Sequence, residues 1–263
     1  MKIFKIAIVC FTILLFAQGG IAQSYTIIHV KGDLKLADGT PLKRGTKLNP
    51  DAQLVFGSET AAAAAISNSR GRFVIKKGGV SANSNDSFYL LKAVLTPVKG
   101  RMSTRSGKLN NLVVLKKFFS DTPLAFLGDK EYVEISPEAF PQDYQRFFFL
   151  RYQYLGETIN KKLLSDKQTM IWDKEEIFKV DGEKIEQAET SNHELYYLGT
   201  NGSPTLVSSV SFAFVPREEL NTLVDIIKVE ESGSKELQIK AFTELITDLY
   251  GKPLTASVEK LFE

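Results

Sequence analysis

Residues 146–155 read RFFFLRYQYL, and the alternating polarity of this run is the clearest indication of the fold. Arg151 and Gln153 stand at odd-numbered positions among larger apolar side chains. The even-numbered side chains share the opposite face of an extended chain; they are Phe148, Leu150, Tyr152 and Tyr154. A period of two is typical of a β-strand that buries one face, so the run predicts a strand within a sheet.

Further strands are predicted on both sides of this run. Each is a short apolar or aromatic stretch bounded by turn-forming residues; they span residues 130–135, 169–172, 177–180, 194–198 and 205–215. Val180-Asp181-Gly182-Glu183 predicts a hairpin, because Asp-Gly readily adopts the positive φ angles of a tight turn. His193 is predicted to lie in a Ser-Asn-His-Glu loop before the strand at 194–198.

Helices are predicted to follow these strands. Pro216 suits the first position of a helix, and apolar residues with helical spacing follow it. Ser234 is the predicted N-cap of a second helix that stops at Gly251, and a short third helix covers residues 256–262. Strands followed by helices indicate an α+β fold, in which an N-terminal module precedes a β-sheet domain with C-terminal helices.

Residues 23–118 are predicted to form an all-β module. Its short strands are separated by turn formers; they span residues 25–30, 32–36, 53–56, 61–66, 72–76 and 88–94. The five alanines from Ala61 to Ala65 favour a helix by propensity. The turns on either side leave too little length for a helix, so we predict a closely packed strand of small residues.

The first 22 residues are predicted to be a cleavable signal peptide. Lys2 and Lys5 form a positive n-region, residues 6–17 are almost wholly apolar, and residues 20–22 place small side chains before Gln23. The alternative is a retained membrane anchor, but a spanning helix needs roughly 20 apolar residues. We therefore expect an exported protein that is periplasmic, outer-membrane-associated or secreted, with no transmembrane segment after the leader.

The stretch from residue 30 to residue 76 resembles the small β-module of FecR-like envelope proteins. In that family a Val-x-Gly opening leads to a hairpin, a Leu-x-x-Gly corner, an apolar strand, a small-residue strand and a Gly-containing hairpin. The matching residues are Val30, Gly32, Leu42, Gly45, Leu54, Phe56, Ala63, Ile66, Gly71 and Phe73. The chain departs from the family because a predicted signal peptide, and not a membrane segment, precedes the module. The resemblance, and a layout similar to exported proteins of Bacteroidetes-type bacteria, imply an envelope setting and no particular reaction.

Charge is distributed unevenly along the chain, although the net charge is only +2. Residues 23–118 contain 16 Lys and Arg against 5 Asp and Glu, which is a net charge of +11. Residues 119–263 contain 15 Lys and Arg against 26 Asp and Glu, which is a net charge of −11. This asymmetry predicts a basic module at 23–118 and an acidic α+β domain at 119–263, with a boundary near 119–122.

The most basic segment lies between Asp86 and Asp121, where no acidic residue occurs. Its cations are the candidate binding residues, namely Lys92, Lys99, Arg101, Arg105, Lys108, Lys116 and Lys117. They either form a solvated or internally docked face, or they bind an anionic glycan, a membrane surface or an acidic partner. Both explanations stay open.

The sequence carries no signature of a catalytic or metal site. Cys10 is the only cysteine, and the two histidines, His29 and His193, are far apart. Zinc-binding, nucleophile-elbow and phosphate-loop patterns do not occur, so we expect no metal and no cofactor. A pair of carboxylates within residues 119–263 could still form a hydrolase site, because such pairs leave no local pattern.

Aromatic residues are crowded between Phe147 and Tyr154, and they recur at Tyr196 and Tyr197. If these rings are exposed, they would suggest a platform for a glycan or a peptide. If they are buried, they form the core of the sheet. The sequence alone leaves the two explanations open.

The leading hypothesis is a non-enzymatic, exported interaction or scaffold protein of the cell envelope. Its partner would be an envelope protein or an anionic glycan or surface, and no nucleic-acid partner is expected. The first alternative is a module that binds an anionic glycan or membrane surface through residues 92–117. The second is a carboxylate-dependent hydrolase.

Overall fold

The computed structural model describes residues 24–67, 71–77, 89–98, 109–166, 168–200 and 202–263. Two compact units make up the chain, Met1–Pro97 and Val98–Glu263. Several β-sheets account for most of the regular structure, and the two longest helices lie near the C-terminus, so the α+β class is confirmed. Within the residues just given, no helix is long and apolar enough to cross a membrane.

The described part of the first unit contains two antiparallel sheets. The elements are β1 (Tyr25–Lys31), β2 (Leu34–Leu36), β3 (Lys47–Leu48), β4 (Gln53–Phe56), β5 (Ala62–Ser67), β6 (Gly71–Lys76), β7 (Tyr89–Leu90), α1 (Leu91–Val94) and β8 (Leu95–Pro97). One sheet has the strand order β3-β1-β5-β6-β8, and the other has the order β2-β4-β7. The strand predicted at 88–94 is therefore wrong in part, because one turn of helix separates β7 from β8.

The alanine run forms a central strand, as its flanking turns predict. β5 pairs with β1 on one side and with β6 on the other, and both pairings are antiparallel. Ala63 and Ala65 are fully buried in the core of this unit. Small side chains suit this buried position between two neighbouring strands. Tertiary packing here overrides the helical propensity of alanine.

The second unit contains the following elements in chain order: α2 (Leu112–Ser120), β9 (Leu124–Leu127), β10 (Lys130–Glu134), β11 (Phe147–Tyr154), β12 (Glu157–Lys162), β13 (Leu164–Ser165), β14 (Thr169–Asp173), α3 (Lys174–Ile177), β15 (Lys179–Val180), β16 (Glu183–Lys184), a 3-10 turn (Gln187–Glu189), β17 (Thr190–Leu198), β18 (Pro204–Ser209), β19 (Phe212–Val215), α4 (Arg217–Glu230), α5 (Lys235–Leu249), β20 (Lys252–Pro253) and α6 (Thr255–Leu261). Its largest sheet is antiparallel with the order β12-β11-β17-β18. The predicted hairpin is confirmed, because Asp181 and Gly182 have positive φ angles between β15 and β16.

A smaller parallel sheet joins the strands to the C-terminal helices. β9 lies between β19 and β20, and it pairs with both in parallel. The single strand predicted at 205–215 is therefore wrong. It is two strands, because β18 pairs with β17 in the large sheet and β19 leaves to pair with β9.

An aromatic cluster forms the core of the second unit. Trp172 is fully buried, and its ring centroid lies 5.6 Å from that of Phe119, 5.0 Å from that of Phe126 and 5.1 Å from that of Phe212. These rings come from β14, α2, β9 and β19. Trp172 therefore packs against residues that are distant from it in the sequence.

The two units divide earlier than the boundary predicted near residues 119–122. Leu115 and Phe119 of α2 are buried in the core of the second unit, and the division lies between Pro97 and Val98. Leu115 and Phe119 are four residues apart, so both lie on one face of α2. This face packs into the core of the second unit, and α2 therefore belongs to that unit and not to the first module.

Counted by these units, the charge asymmetry is smaller. Residues 24–97 hold 10 Lys and Arg against 5 Asp and Glu, which is a net charge of +5. Residues 98–263 hold 21 Lys and Arg against 26 Asp and Glu, which is a net charge of −5. Six cations between Lys99 and Lys117 move from the first count to the second. The larger contrast therefore depended on the boundary predicted near residues 119–122.

Candidate functional site

The β12-β11-β17-β18 sheet separates the aromatic residues of the second unit into two groups. Phe148, Leu150 and Tyr152 of β11 are fully buried in the core, as the alternation predicts. Phe147 and Tyr196 are only partly buried, and they lie with Phe149 on the other face. Core packing thus explains one group, whereas the second group forms an aromatic surface.

Arg151 lies over this outer aromatic surface. Its Cζ atom is 4.4 Å from the ring centroid of Tyr196, and the Tyr196 ring stacks on Phe149 at 5.2 Å with an interplanar angle of 9°. Nε of Arg151 donates a hydrogen bond of 2.9 Å to Oδ1 of Asn160 on the neighbouring strand β12. Stacking and this hydrogen bond together fix the plane of the guanidinium.

A cavity of about 510 Å³ opens beside Arg151 at one end of the sheet. Its lining consists of polar side chains from three adjacent strands and one apolar residue, namely Arg151, Gln153, Asn192, His193, Glu194, Ser209 and Val210. This volume falls within the range of about 300–1,000 Å³ that is common for small-molecule sites.

Irregular strand pairing creates the cavity. The register between β11 and β17 shifts between Arg151 and Gln153, and Asn192 opposite this shift has a φ angle of 53°. Asparagine tolerates this left-handed conformation better than most residues. A β-bulge of this kind bends the strand and redirects its side chains, and bulges are common beside binding and active sites.

His193 forms one wall of the cavity in a fixed orientation. The Thr190 hydroxyl donates to the carbonyl of Gln187 at 2.7 Å, so it must accept the contact of 2.8 Å from His193 Nε2. Nε2 therefore carries the proton, and Nδ1 is an acceptor that has no partner within the described residues. Burial among Tyr152, Phe212 and neighbouring rings lowers the pKa of His193, which keeps the imidazole neutral.

Glu194 is the acid of the cavity. The Tyr196 hydroxyl donates a hydrogen bond of 3.0 Å to Glu194 Oε2, and burial followed by this bond raises the pKa of Tyr196. Arg151 and Glu194 are cross-strand partners, but no ion pair joins them in the part of the chain that is described. The cavity therefore presents a cationic donor and an anionic acceptor that both remain available to a ligand.

Among the described residues, the lining of this cavity does not contain the paired carboxylates of the hydrolase alternative. Within the described residues, the cavity has a single acid, Glu194, whereas paired-carboxylate hydrolysis needs two acids across one cleft. No hydrogen bond in the same residues joins Ser209 to His193 as a nucleophile and its base. No group of three or more His, Cys, Asp or Glu side chains is placed to hold a metal in this part either.

The predicted basic site is not brought together at this cavity. Lys116 and Lys117 are exposed on α2, and Lys92 lies within α1 in the first unit. The remaining predicted cations lie outside the described residues; they are Lys99, Arg101, Arg105 and Lys108.

The prediction of a loop at His193 is wrong. Because of this error, the sequence did not indicate that His193 lines a cavity in the sheet. His193 lies in β17, and the Ser-Asn-His-Glu sequence belongs to a bulged strand. Asn192 was the available signal, because an Asn within an otherwise extended segment is compatible with a positive φ angle as well as with a loop.

The chain was compared with known proteins. No family model matches it, no curated protein matches it, and no solved structure matches it.

Proposed function

We propose that this chain is an exported, non-enzymatic binding protein of the cell envelope, and that its second unit binds a saccharide in the cavity beside Arg151. The observation that carries the proposal is the set of donors and acceptors on strands β11, β17 and β18 around a cavity of about 510 Å³. Arg151, Gln153 and Glu194 each make one hydrogen bond within the unit, and each keeps a further donor or acceptor for a ligand. The predicted leader and the resemblance to FecR-like proteins support the envelope setting.

The hydrogen-bonding inventory of the lining suits a polyhydroxylated ligand. Arg151 only donates and Glu194 only accepts, whereas the side chains of Gln153, Asn192 and Ser209 do both. Each hydroxyl of a sugar also donates and accepts, so its hydroxyls can pair with this mixed set. One cation and one anion in the lining balance each other, which favours a neutral ligand over a strongly charged one.

Apolar groups in the same lining suit the C–H faces of a sugar ring. Val210 and the ring of His193 border the polar groups, and the His193 ring is held against Phe212 at 5.3 Å. Tyr196 contributes indirectly, because Arg151 covers its ring and is positioned by it. Small-molecule sites typically combine such apolar contacts with a few oriented polar groups.

Titration of the full chain with neutral oligosaccharides, followed by calorimetry and NMR, tests the proposal. Arg151→Gln removes charge-assisted hydrogen bonds, each worth about 1.5–3 kcal/mol, so we expect affinity to fall about tenfold or more. Glu194→Gln keeps one acceptor and should weaken binding less.

Lys162→Gln is the matched control. Lys162 also covers an aromatic ring of the outer sheet face, with its Nζ atom 4.3 Å from the centroid of Phe147, but it does not line the cavity. Its substitution should leave affinity unchanged. Equal losses for Arg151→Gln and Lys162→Gln, or no binding of any saccharide, would refute the proposed site, and turnover of a bound saccharide would refute the non-enzymatic role.

A further inference from the structure

The first turn of α2 exposes apolar side chains that a helix surface normally avoids. Leu112, Val113 and Val114 are consecutive, and their exposed fractions are 39%, 77% and 38%. Single exposed apolar residues are ordinary, but a contiguous apolar group indicates an interaction site. The helix is anchored beneath them, because Leu115 and Phe119 are buried in the core of the second unit.

Two lysines share the exposed face of the same helix. Lys116 and Lys117 follow Val113 by three and four residues, so all three side chains lie on one side of α2. Both lysines are exposed, and neither forms an ion pair within the described ranges of the chain. Lysine can hold its ammonium group at a polar surface while its alkyl stem lies along an apolar one.

The sequence that precedes and includes α2 is basic. No Asp or Glu occurs between Asp86 and Asp121, and that interval contains seven Lys and Arg residues, Lys116 and Lys117 among them. An apolar group beside two exposed cations complements the anionic headgroups and the acyl boundary of a lipid bilayer. An acidic protein would match the charge, but it would not require three adjacent exposed aliphatic side chains.

We propose that the N-terminal turn of α2 binds an anionic lipid surface, with Leu112, Val113 and Val114 at the acyl boundary and Lys116 and Lys117 at the phosphates. This contact is independent of the saccharide cavity. It is weak and reversible, because one helical turn buries little apolar area and stable attachment requires a second signal.

A local probe tests the contact without interference from the predicted leader. Cys10→Ser combined with Val113→Cys gives the full chain one thiol, which is labelled with an environment-sensitive fluorophore. Vesicles of phosphatidylcholine with phosphatidylglycerol should shift its emission to the blue, and vesicles of phosphatidylcholine alone should not. The matched control places the dye at Val229, which is 82% exposed on α4 and is adjacent to Glu230.

Charge removal supplies the second arm of the experiment. Each lysine near an anionic membrane contributes about 1 kcal/mol, so Lys116→Gln with Lys117→Gln should weaken binding about tenfold or more. Lys235→Gln with Lys240→Gln on α5 is the matched control and should change little. Raising the ionic strength from about 0.1 M to about 1 M shortens the Debye length from about 10 Å to about 3 Å and should abolish the shift.

Several outcomes would overturn this proposal. One is an unchanged emission of the dye at residue 113, and another is a blue shift of the dye at residue 229 as large as that at residue 113. The others are equal binding to neutral and anionic vesicles, and no effect of the Lys116 and Lys117 substitutions on binding. A blue shift that rises with protein concentration in the absence of lipid would assign the surface to a second copy of the chain instead.

Discussion

Gly251 lies directly against the backbone carbonyl of Pro123, so close that a Cβ atom at residue 251 would collide with the carbonyl oxygen. This proximity allows Lys252 N to donate a hydrogen bond of 2.7 Å to Pro123 O, which begins the parallel pairing of β20 with β9. Gly251 also has a φ angle of 118°, a conformation that L side chains rarely adopt.

Gly251→Ala should therefore destabilise the second unit by more than about 2 kcal/mol, because backbone strain of about 1–2 kcal/mol adds to the collision with Pro123. Chemical denaturation measures the free energy of unfolding. Gly128→Ala is the matched control, since Gly128 has a φ angle of 102° and a Cβ atom added there would meet open space, so this variant should cost only the strain. Equal losses for the two variants would show that the contact with Pro123 is unimportant.

Glu131 is a buried carboxylate whose two oxygens both accept hydrogen bonds. Oε1 accepts from Ser257 Oγ at 2.6 Å and from Tyr132 N at 3.1 Å, and Oε2 accepts from Leu127 N at 3.2 Å. Burial raises the pKa of this carboxyl, and the hydrogen bonds oppose that shift. The folded state thus binds this proton more tightly than the unfolded state.

The sign of the pH effect follows from this raised pKa. The stability that Glu131 contributes is fully present below its ordinary pKa of 4.5 and is lost as the pH rises through the raised value. The free energy of unfolding of the unaltered chain, minus that of Glu131→Gln, should therefore decrease with pH across this window. Glu134→Gln, exposed on the same strand, is the control. An increase with pH would contradict the assignment.

Trp172 is buried without a hydrogen-bond acceptor for its Nε1 atom in the described structure. An unsatisfied buried donor costs about 1–3 kcal/mol, so Trp172→Phe removes an unfavourable group as well as ring area. We expect Trp172→Phe to lower the free energy of unfolding by less than about 2 kcal/mol, even though phenylalanine fills less of the buried space than tryptophan.

Tyr152→Phe is the informative comparison for this variant. The Tyr152 hydroxyl donates a hydrogen bond of 2.8 Å to Ile177 O, and burial raises the pKa of Tyr152 to about 12. Removing this satisfied donor leaves the carbonyl without its partner, and should cost about 1 kcal/mol for one atom. If thermal unfolding shows Trp172→Phe to be several kcal/mol worse than Tyr152→Phe, the Nε1 atom has a partner in solution.

Local patterns predicted most elements, and long-range pairing determined the features that the patterns missed. The alternation in residues 146–155 specified which face of β11 is buried, because burial follows a period of two. The apolar spacing of Leu115 and Phe119 could not reveal that Phe119 packs against Trp172, more than fifty residues away. The cavity depends on the shift in register opposite Asn192, and the pairing of two distant strands sets that shift.

His193 should make saccharide binding depend on pH. Its Nδ1 atom accepts hydrogen bonds only when the imidazole is neutral, and burial lowers its pKa below the ordinary value of 6.5. The polar groups around His193 are Tyr152, Thr190, Glu194 and Arg151. Burial of the imidazole is the cause of its lowered pKa. Since the folded pKa is depressed, the stability from the neutral ring is present above 6.5 and is lost as the pH falls through the lowered value.

We therefore expect affinity for a neutral oligosaccharide to be constant above neutrality and to fall as the pH drops through this window. A proton on Nδ1 converts the acceptor into a donor and places a charge among Phe212 and other buried rings. Calorimetric titrations at a series of pH values measure the effect, with His193→Gln as the variant in which it should disappear. His29→Gln, which removes the buried histidine of the first unit, is the matched control and should retain the full pH dependence. A pH profile that is the same in all three proteins would remove His193 from the binding site and leave Arg151 and Glu194 to be tested alone.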